Sequence, residues 1–141
     1  VRVDSAGNMD GYSGVIKDGW MSAKIRNTGA FTVVADTVAP ILMDPFFAED
    51  VYTGNLKLVL PFQSDLSGIT DYKCFIDGKW ICGEFNAARN TIEIFFPGTV
   101  IEGYSFELEL KVEDRVGNIF TDKRQIIYGN NTQIHINKQK K

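Results

Sequence analysis

Tyr104-Ser105-Phe106-Glu107-Leu108-Glu109-Leu110-Lys111-Val112-Glu113 is the stretch that decides the fold. Tyr104, Phe106, Leu108, Leu110 and Val112 fall on one side of an extended chain, and Ser105, Glu107, Glu109, Lys111 and Glu113 on the other, because successive strand side chains point to opposite faces. A helix would scatter that stripe. An antiparallel strand with one face in a core and one in water produces it directly. Glu107, Glu109 and Glu113 are therefore read as a solvated face and not as an acidic substrate stripe.

Working outward, Leu56, Leu58, Leu60 and Phe62 repeat the alternation, with Pro61 on the opposite face, where its missing donor favours an edge or a bulge. Tyr72 to Ile76 and Trp80 to Phe85 flank Asp77-Gly78, a strong hairpin signal because both residues tolerate positive φ. Thr91 to Phe96 and Ile119 to Tyr128 add strands rich in β-branched and aromatic residues. Turn clusters at Asp65 to Gly68, Asn86 to Asn90, Pro97-Gly98, Glu102-Gly103 and Asp114 to Asn118 punctuate these runs. Seven short strands at this spacing predict an all-β, immunoglobulin-like antiparallel β-sandwich. Trp80, following the hairpin turn, is expected in its core. A two-residue Asp77-Gly78 turn also sets Cys74 opposite Ile81 and sends Cys74 and Cys82 to opposite faces, which predicts free thiols.

Residues 1–38 read as an N-terminal β segment, the end of a preceding module or an annex, with strand-like runs at Trp20 to Arg26 and Ala30 to Ala35. The boundary is Asp36-Thr37-Val38-Ala39-Pro40, where Pro40 holds Ala39 extended. The sandwich then occupies 39–129, and 130–141 is read as a polar tail. Asp4-Ser5-Ala6-Gly7-Asn8 matches Asp114-Arg115-Val116-Gly117-Asn118, each read as a turn with its glycine in a left-handed conformation.

At 141 residues, 44% apolar and 23% charged, the chain is long enough for one domain with a sizeable core. A formal charge of -3 argues against a nucleic-acid partner, since phosphate contacts need a basic face. No apolar run approaches the ~20 residues of a membrane-spanning helix. The start at Val1, with neither an initiator Met nor a signal segment, is read as a fragment or a processed product. One His and two Cys leave little from which to build a metal site or a His-dependent catalytic centre, and Ser67 has no His partner in view. The reading is of a non-enzyme with no cofactor and no metal.

Asp65, Asp71 and Asp77 do not make a glycosidase pair. Asp65 and Asp77 lie at opposite ends of one strand, roughly 35 Å apart if fully extended, against the ~5 to 10 Å that the chemistry needs. Asp36, Asp65, Asp114 and Asn118 could supply oxygen ligands to calcium, but no dense acidic loop of the EF-hand kind is present and turn formation is the preferred role.

Trp20-Met21-Ser22-Ala23-Lys24, Gly29-Ala30-Phe31-Thr32-Val33, Asp36-Thr37 with Pro40, Asp65-Leu66-Ser67-Gly68-Ile69, Tyr72, Ile76-Asp77-Gly78-Lys79-Trp80, Glu84 and Asp114-Arg115-Val116-Gly117-Asn118 follow one another in this order. Together they resemble the C-terminal immunoglobulin-like region of secreted lysostaphin-like metallopeptidases of Gram-negative bacteria, from about Tyr12 to Thr121. The resemblance implies an accessory module of an exported cell-envelope protein in the periplasm, outer membrane or cell surface, with an upstream domain of the same polypeptide as partner. It does not carry the activity over. That family's zinc site uses His-x-x-x-Asp and His-x-His, and the single His here is His135, in the tail. Cys74 and Cys82 also depart from the pattern. The alternative is an adhesion module binding cell-wall glycan or a surface protein, for which Trp20 is the candidate aromatic contact.

Strand direction then places the polar residues. If consecutive strands from Ile41 onward reverse direction, Asp36, Asp65, Asn86, Arg89, Asn90, Asp114 and Asn118 gather at one end of the sandwich, next to residues 1–35. This junction pole is expected to set the geometry between the two parts of the chain.

Overall fold

The computed structural model describes residues 1–12, 14–63 and 66–129. Among them, in chain order, are β1 (Arg2–Val3), β2 (Met9–Asp10), β3 (Gly14–Lys17), β4 (Trp20–Ala23), β5 (Ala30–Phe31), β6 (Ile41–Leu42), β7 (Phe46–Glu49), β8 (Leu56–Gln63), β9 (Ile69–Ile76), β10 (Lys79–Ile81), β11 (Glu84–Asn86), β12 (Thr91–Phe95), β13 (Ser105–Asp114) and β14 (Ile119–Ile127). The chain is all-β in these residues. Strands β6 to β14 form two sheets, ordered β10-β9-β13-β14 and β11-β12-β8-β6, with β7 also pairing β8. Their facing sides make a β-sandwich core. The expected tail, with His135, lies outside the described residues.

The core follows from the alternation. Phe106, Leu108, Leu110 and Val112 of β13 are buried, as are Leu58, Leu60 and Phe62 of β8 and Ile92 and Ile94 of β12. Each such side chain contributes ~1.5 to 3 kcal/mol on leaving water. Phe96 meets Phe106 at 5.5 Å between ring centroids, and Phe62 meets Phe120 at 6.0 Å, so aromatic pairs cross between the sheets.

Two expectations are corrected, and the choice between an edge and a bulge at Pro61 is decided against the edge. Pro61 does not mark an edge, since β8 is flanked by β12 on one side and by β6 and β7 on the other. Its carbonyl accepts from Met43 N–H at 2.8 Å, so its donorless nitrogen faces the break between β6 and β7, where no ladder bond is lost. The run from Trp80 to Phe85 is not one strand. The chain leaves β10 after Ile81, crosses at Cys82-Gly83 and enters the other sheet as β11. Trp80 is not in the core but 65% exposed. The two-residue turn pairs Lys79 with Ile76 and Trp80 with Phe75, which sets Trp80 on the outward face of a short edge strand.

The same register pairs Ile81 with Cys74, and both cysteines are free, Cys74 buried and Cys82 exposed. Burial, with Cys82 nearby, pushes the Cys74 thiol up to about 12. Thiolate is the reactive form, so a maleimide is expected to label Cys82 in the native protein and Cys74 only on unfolding. Intact mass before reduction should show the full complement of thiol hydrogens. Native labelling of both sulfurs at equal rates would contradict the packing.

At the other edge of that sheet, β14 carries Asp122 and Arg124 opposite Leu110 and Leu108, on the core-facing side. Arg124 Nε donates to Asp122 Oδ2. A charged pair turned inward at an edge makes docking of a foreign strand costly.

The first strands stand apart from these ladders. β2, β1 and β5 form one antiparallel sheet, and β3 and β4 a separate hairpin. The two Asp-x-x-Gly-Asn segments fold alike. Gly7 has φ 84° and Gly117 φ 91°. In both, the Asp carbonyl accepts from the Gly N–H and the Asp N–H donates to the Asn carbonyl.

Candidate functional site

The end of the sandwich facing residues 1–35 is organised by Asp114. A register shift between Glu113 and Asp114 bends the end of β13, as bulges do, and leaves the Asp114 side chain only 1% exposed. Its Oδ1 accepts from Val116 N–H at 2.9 Å and Asn118 N–H at 2.8 Å, and its Oδ2 from Asn118 Nδ2 at 2.8 Å. Burial alone would raise its pKa. The Asn118 side chain and the Asn118 and Val116 N–H groups outweigh that and hold the carboxyl below its ordinary range. The nearby Ser67 hydroxyl lowers it a little further without reaching normal hydrogen-bond geometry.

Asn118 carries the order onward. The same Nδ2 that contacts Asp114 donates to the carbonyls of Asp36 at 3.3 Å and Val38 at 3.4 Å. One amide thus joins the turn after β13 to the linker ahead of β6. Asp36 Oδ1 accepts from Val38 N–H at 3.2 Å, which turns the linker, while Asp36 Oδ2 is buried without a partner. Arg115 N–H donates to Gly68 O at 3.1 Å, so the loop before β9 closes on the same turn.

The strand-direction argument therefore places Asp36, Asp114 and Asn118 together. Asn86, Arg89 and Asn90 occupy the same end of the sandwich but serve the other sheet. Asn86 Oδ1 accepts from Arg89 N–H at 3.3 Å, and Asn90 exchanges bonds with Phe62 at 2.9 and 3.0 Å. Asp77 sits at the far end, where it exchanges bonds with Glu107, each at 2.9 Å. Asp65 lies outside the described residues. Trp20, at the start of β4, is 80% exposed.

Two features escaped the sequence. Asp114 reads there as one more turn residue, and only its bulge shows that it is buried. The second is a cleft of about 750 Å³ between the annex and this end, whose walls include Tyr12, Ile16, Met21, Phe31 and Val34, with Asp36, Ser67 and Arg115 where it meets the sandwich. Strands of two to four residues are too short for a period to reveal which face is inward.

No family model, no characterised protein and no solved structure matches this chain. Among the described residues no three His, Cys, Asp or Glu side chains gather into a metal-holding group, and both oxygens of Asp114 already serve its own turn. Among the described residues no helix is long and apolar enough to cross a membrane.

Proposed function

We propose that this chain is a non-catalytic accessory module that positions a neighbouring domain of an exported cell-envelope protein, a peptidoglycan metallopeptidase being the neighbour that the family resemblance implies. The observation that carries the reading is the Asn118 amide bridging Asp114 to the Asp36 and Val38 carbonyls. A side chain that spends its donors on the backbone of a linker restrains the angle between what the linker joins. The neighbour order of the sheets supports the immunoglobulin-like assignment, since β11-β12-β8-β6 against β10-β9-β13-β14 follows the A-B-E-D and C-F-G arrangement of that sandwich. Fold alone would not assign a role, so the proposal rests on the latch.

Asn118→Ala tests it. The expected result is an unfolding free energy within ~1.5 kcal/mol of the parent, together with loss of the fixed orientation between residues 1–35 and 39–129 in residual dipolar couplings. Unchanged couplings would remove the positioning role. The adhesion reading is kept because Trp20 and Trp80 are both largely exposed, as stacking platforms for sugars must be. Quenching of their fluorescence by soluble peptidoglycan fragments, lost in Trp20→Ala or Trp80→Ala, would favour it instead.

A further inference from the structure

We propose that the outward face of the β10-β9-β13-β14 sheet binds an uncharged pyranose glycan laid across the strands, with one sugar ring on Trp80. The inference does not depend on the positioning role, and it gives the adhesion reading a place on the fold. Its first support is register. Trp80 of β10 stands opposite Phe75 of β9, Phe75 opposite Glu109 of β13, and Glu109 opposite Lys123 of β14. Directly opposed residues share one face of a sheet, so two aromatic rings, a carboxylate and an ammonium form a single row. With neighbouring strands ~4.8 Å apart, the row spans roughly 14 Å, which suits a short run of sugar rings. Trp80 is 65% exposed and Phe75 half-buried, so an aromatic surface is open to the apolar C–H face of a sugar.

The second support is the charge around that row. One step along the strands Lys73 of β9 and Lys111 of β13 stand directly opposite each other, and one step further Asp71 opposes Glu113. Like charges so placed destabilise a sheet. Among the described residues neither Lys73 nor Lys111 is in an ion pair, whereas Lys123 sits 2.9 Å from Glu107 and 3.6 Å from Glu109. The face therefore sets Lys73, Lys111 and Lys123 against Asp71, Glu107, Glu109 and Glu113, and the two signs nearly offset. A hydroxyl both donates and accepts, so a chain of vicinal hydroxyls satisfies ammonium and carboxylate alike and separates each like-charged pair. A polyanion would meet the carboxylates, and a nucleic-acid strand needs a basic face. The core of a protein interface is depleted of charge, whereas charge occupies the centre of this face. The uncharged glycan is the occupant left.

Cellopentaose and N-acetylchitopentaose supply the uncharged chain, and pentagalacturonate its anionic counterpart. Each can be titrated at neutral pH into the full chain while amide chemical shifts are followed. The expected result is saturable binding of at least one uncharged pentamer, with shifts at Phe75, Lys111 and Lys123, and weaker binding of pentagalacturonate than of that pentamer. Trp80→Ala should weaken binding about tenfold or more, as truncation of a central aromatic contact does, and Trp80→Tyr should restore part of it. The double substitution Lys73→Ala and Lys111→Ala removes the donors along with their repulsion, so it should weaken binding without lowering the urea midpoint. Trp20→Ala should leave the affinity unchanged, because Trp20 belongs to the β3-β4 hairpin. No saturable shift with either uncharged pentamer, pentagalacturonate binding as tightly, affinity unchanged by Trp80→Ala, or shifts confined to residues 1–35 would each overturn the assignment. An annex orientation unchanged in Asn118→Ala with the pentamer still bound would remove the positioning role alone. Lost orientation in Asn118→Ala with no pentamer binding in the parent would remove this proposal alone.

Discussion

Replacing Asp114 with alanine is expected to lower the unfolding free energy by about 3 kcal/mol, because the change strands buried donors that cost ~1 to 3 kcal/mol each when unpaired. The donors are the N–H groups of Val116 and Asn118 and the Asn118 amide. The exposed turn lets water recover part of the loss. Asp114→Asn keeps an acceptor for the two N–H groups and loses the one for the amide, so about 1 kcal/mol is expected. Urea unfolding of the three proteins measures both, and an Asp114→Ala midpoint equal to the parent's would contradict the arrangement.

The pH dependence has a definite sign. The folded-state pKa of Asp114 lies below its unfolded value, so its contribution is whole above ~4 and fades as pH falls through the lower folded-state value. The gap between parent and Asp114→Ala should therefore be constant from neutral pH to about pH 5 and close on further acidification. Asp4, held low first by the Asn8 side chain, and Asp50, held low first by Thr53 N–H, act in the same direction. They are present in both proteins, so the difference isolates Asp114.

Gly83→Val is expected to cost about 3 kcal/mol, the upper part of the range for overpacking a core. Gly83 is where the chain passes from one sheet to the other, and a Cβ there would stand 2.9 Å from Ile92 Cγ2 and 3.5 Å from Cys74 Sγ. Both neighbours are buried. The Gly83 carbonyl is also held by the Tyr72 hydroxyl at 3.0 Å, which limits how far the crossing can shift. Gly83→Ala should cost less, and part of that cost should be recovered as coupling in a double-mutant cycle with Ile92→Ala, which removes the Cγ2 methyl that the new Cβ would meet. Equal stability of Gly83→Val and the parent in urea would show that the crossing is looser than the structure has it.

Much of the fold was legible because strands write their burial in alternate residues. Tyr104 to Glu113 named the core face of β13, and Asp77-Gly78 named a turn whose length dictates the register of β9 and β10. That register separates the cysteines, and it also turns Trp80 outward opposite Phe75. The expectation that Trp80 fills the core gave weight to the size of the ring, but face is decided by parity along the strand. The site was half legible. Strand reversal brought Asp36, Asp114 and Asn118 to one end, while the bond pattern within it could not be read.

The sequence by itself determined the all-β class, the polarity of each long strand, the two-residue hairpin and the conformation of both Asp-x-x-Gly-Asn turns, because each of these is settled by neighbours a few residues apart. The tertiary structure alone decided the rest. The crossing at Gly83 depends on Ile92 and Cys74, the burial of Asp114 on a shift against β9, and the latch on an amide that reaches across more than seventy residues to Asp36 and Val38. The cleft where the annex meets the sandwich has walls drawn from both parts of the chain. Contacts between residues so far apart leave no local period or turn composition in the sequence, since they are selected by which faces the packed sheets bring together.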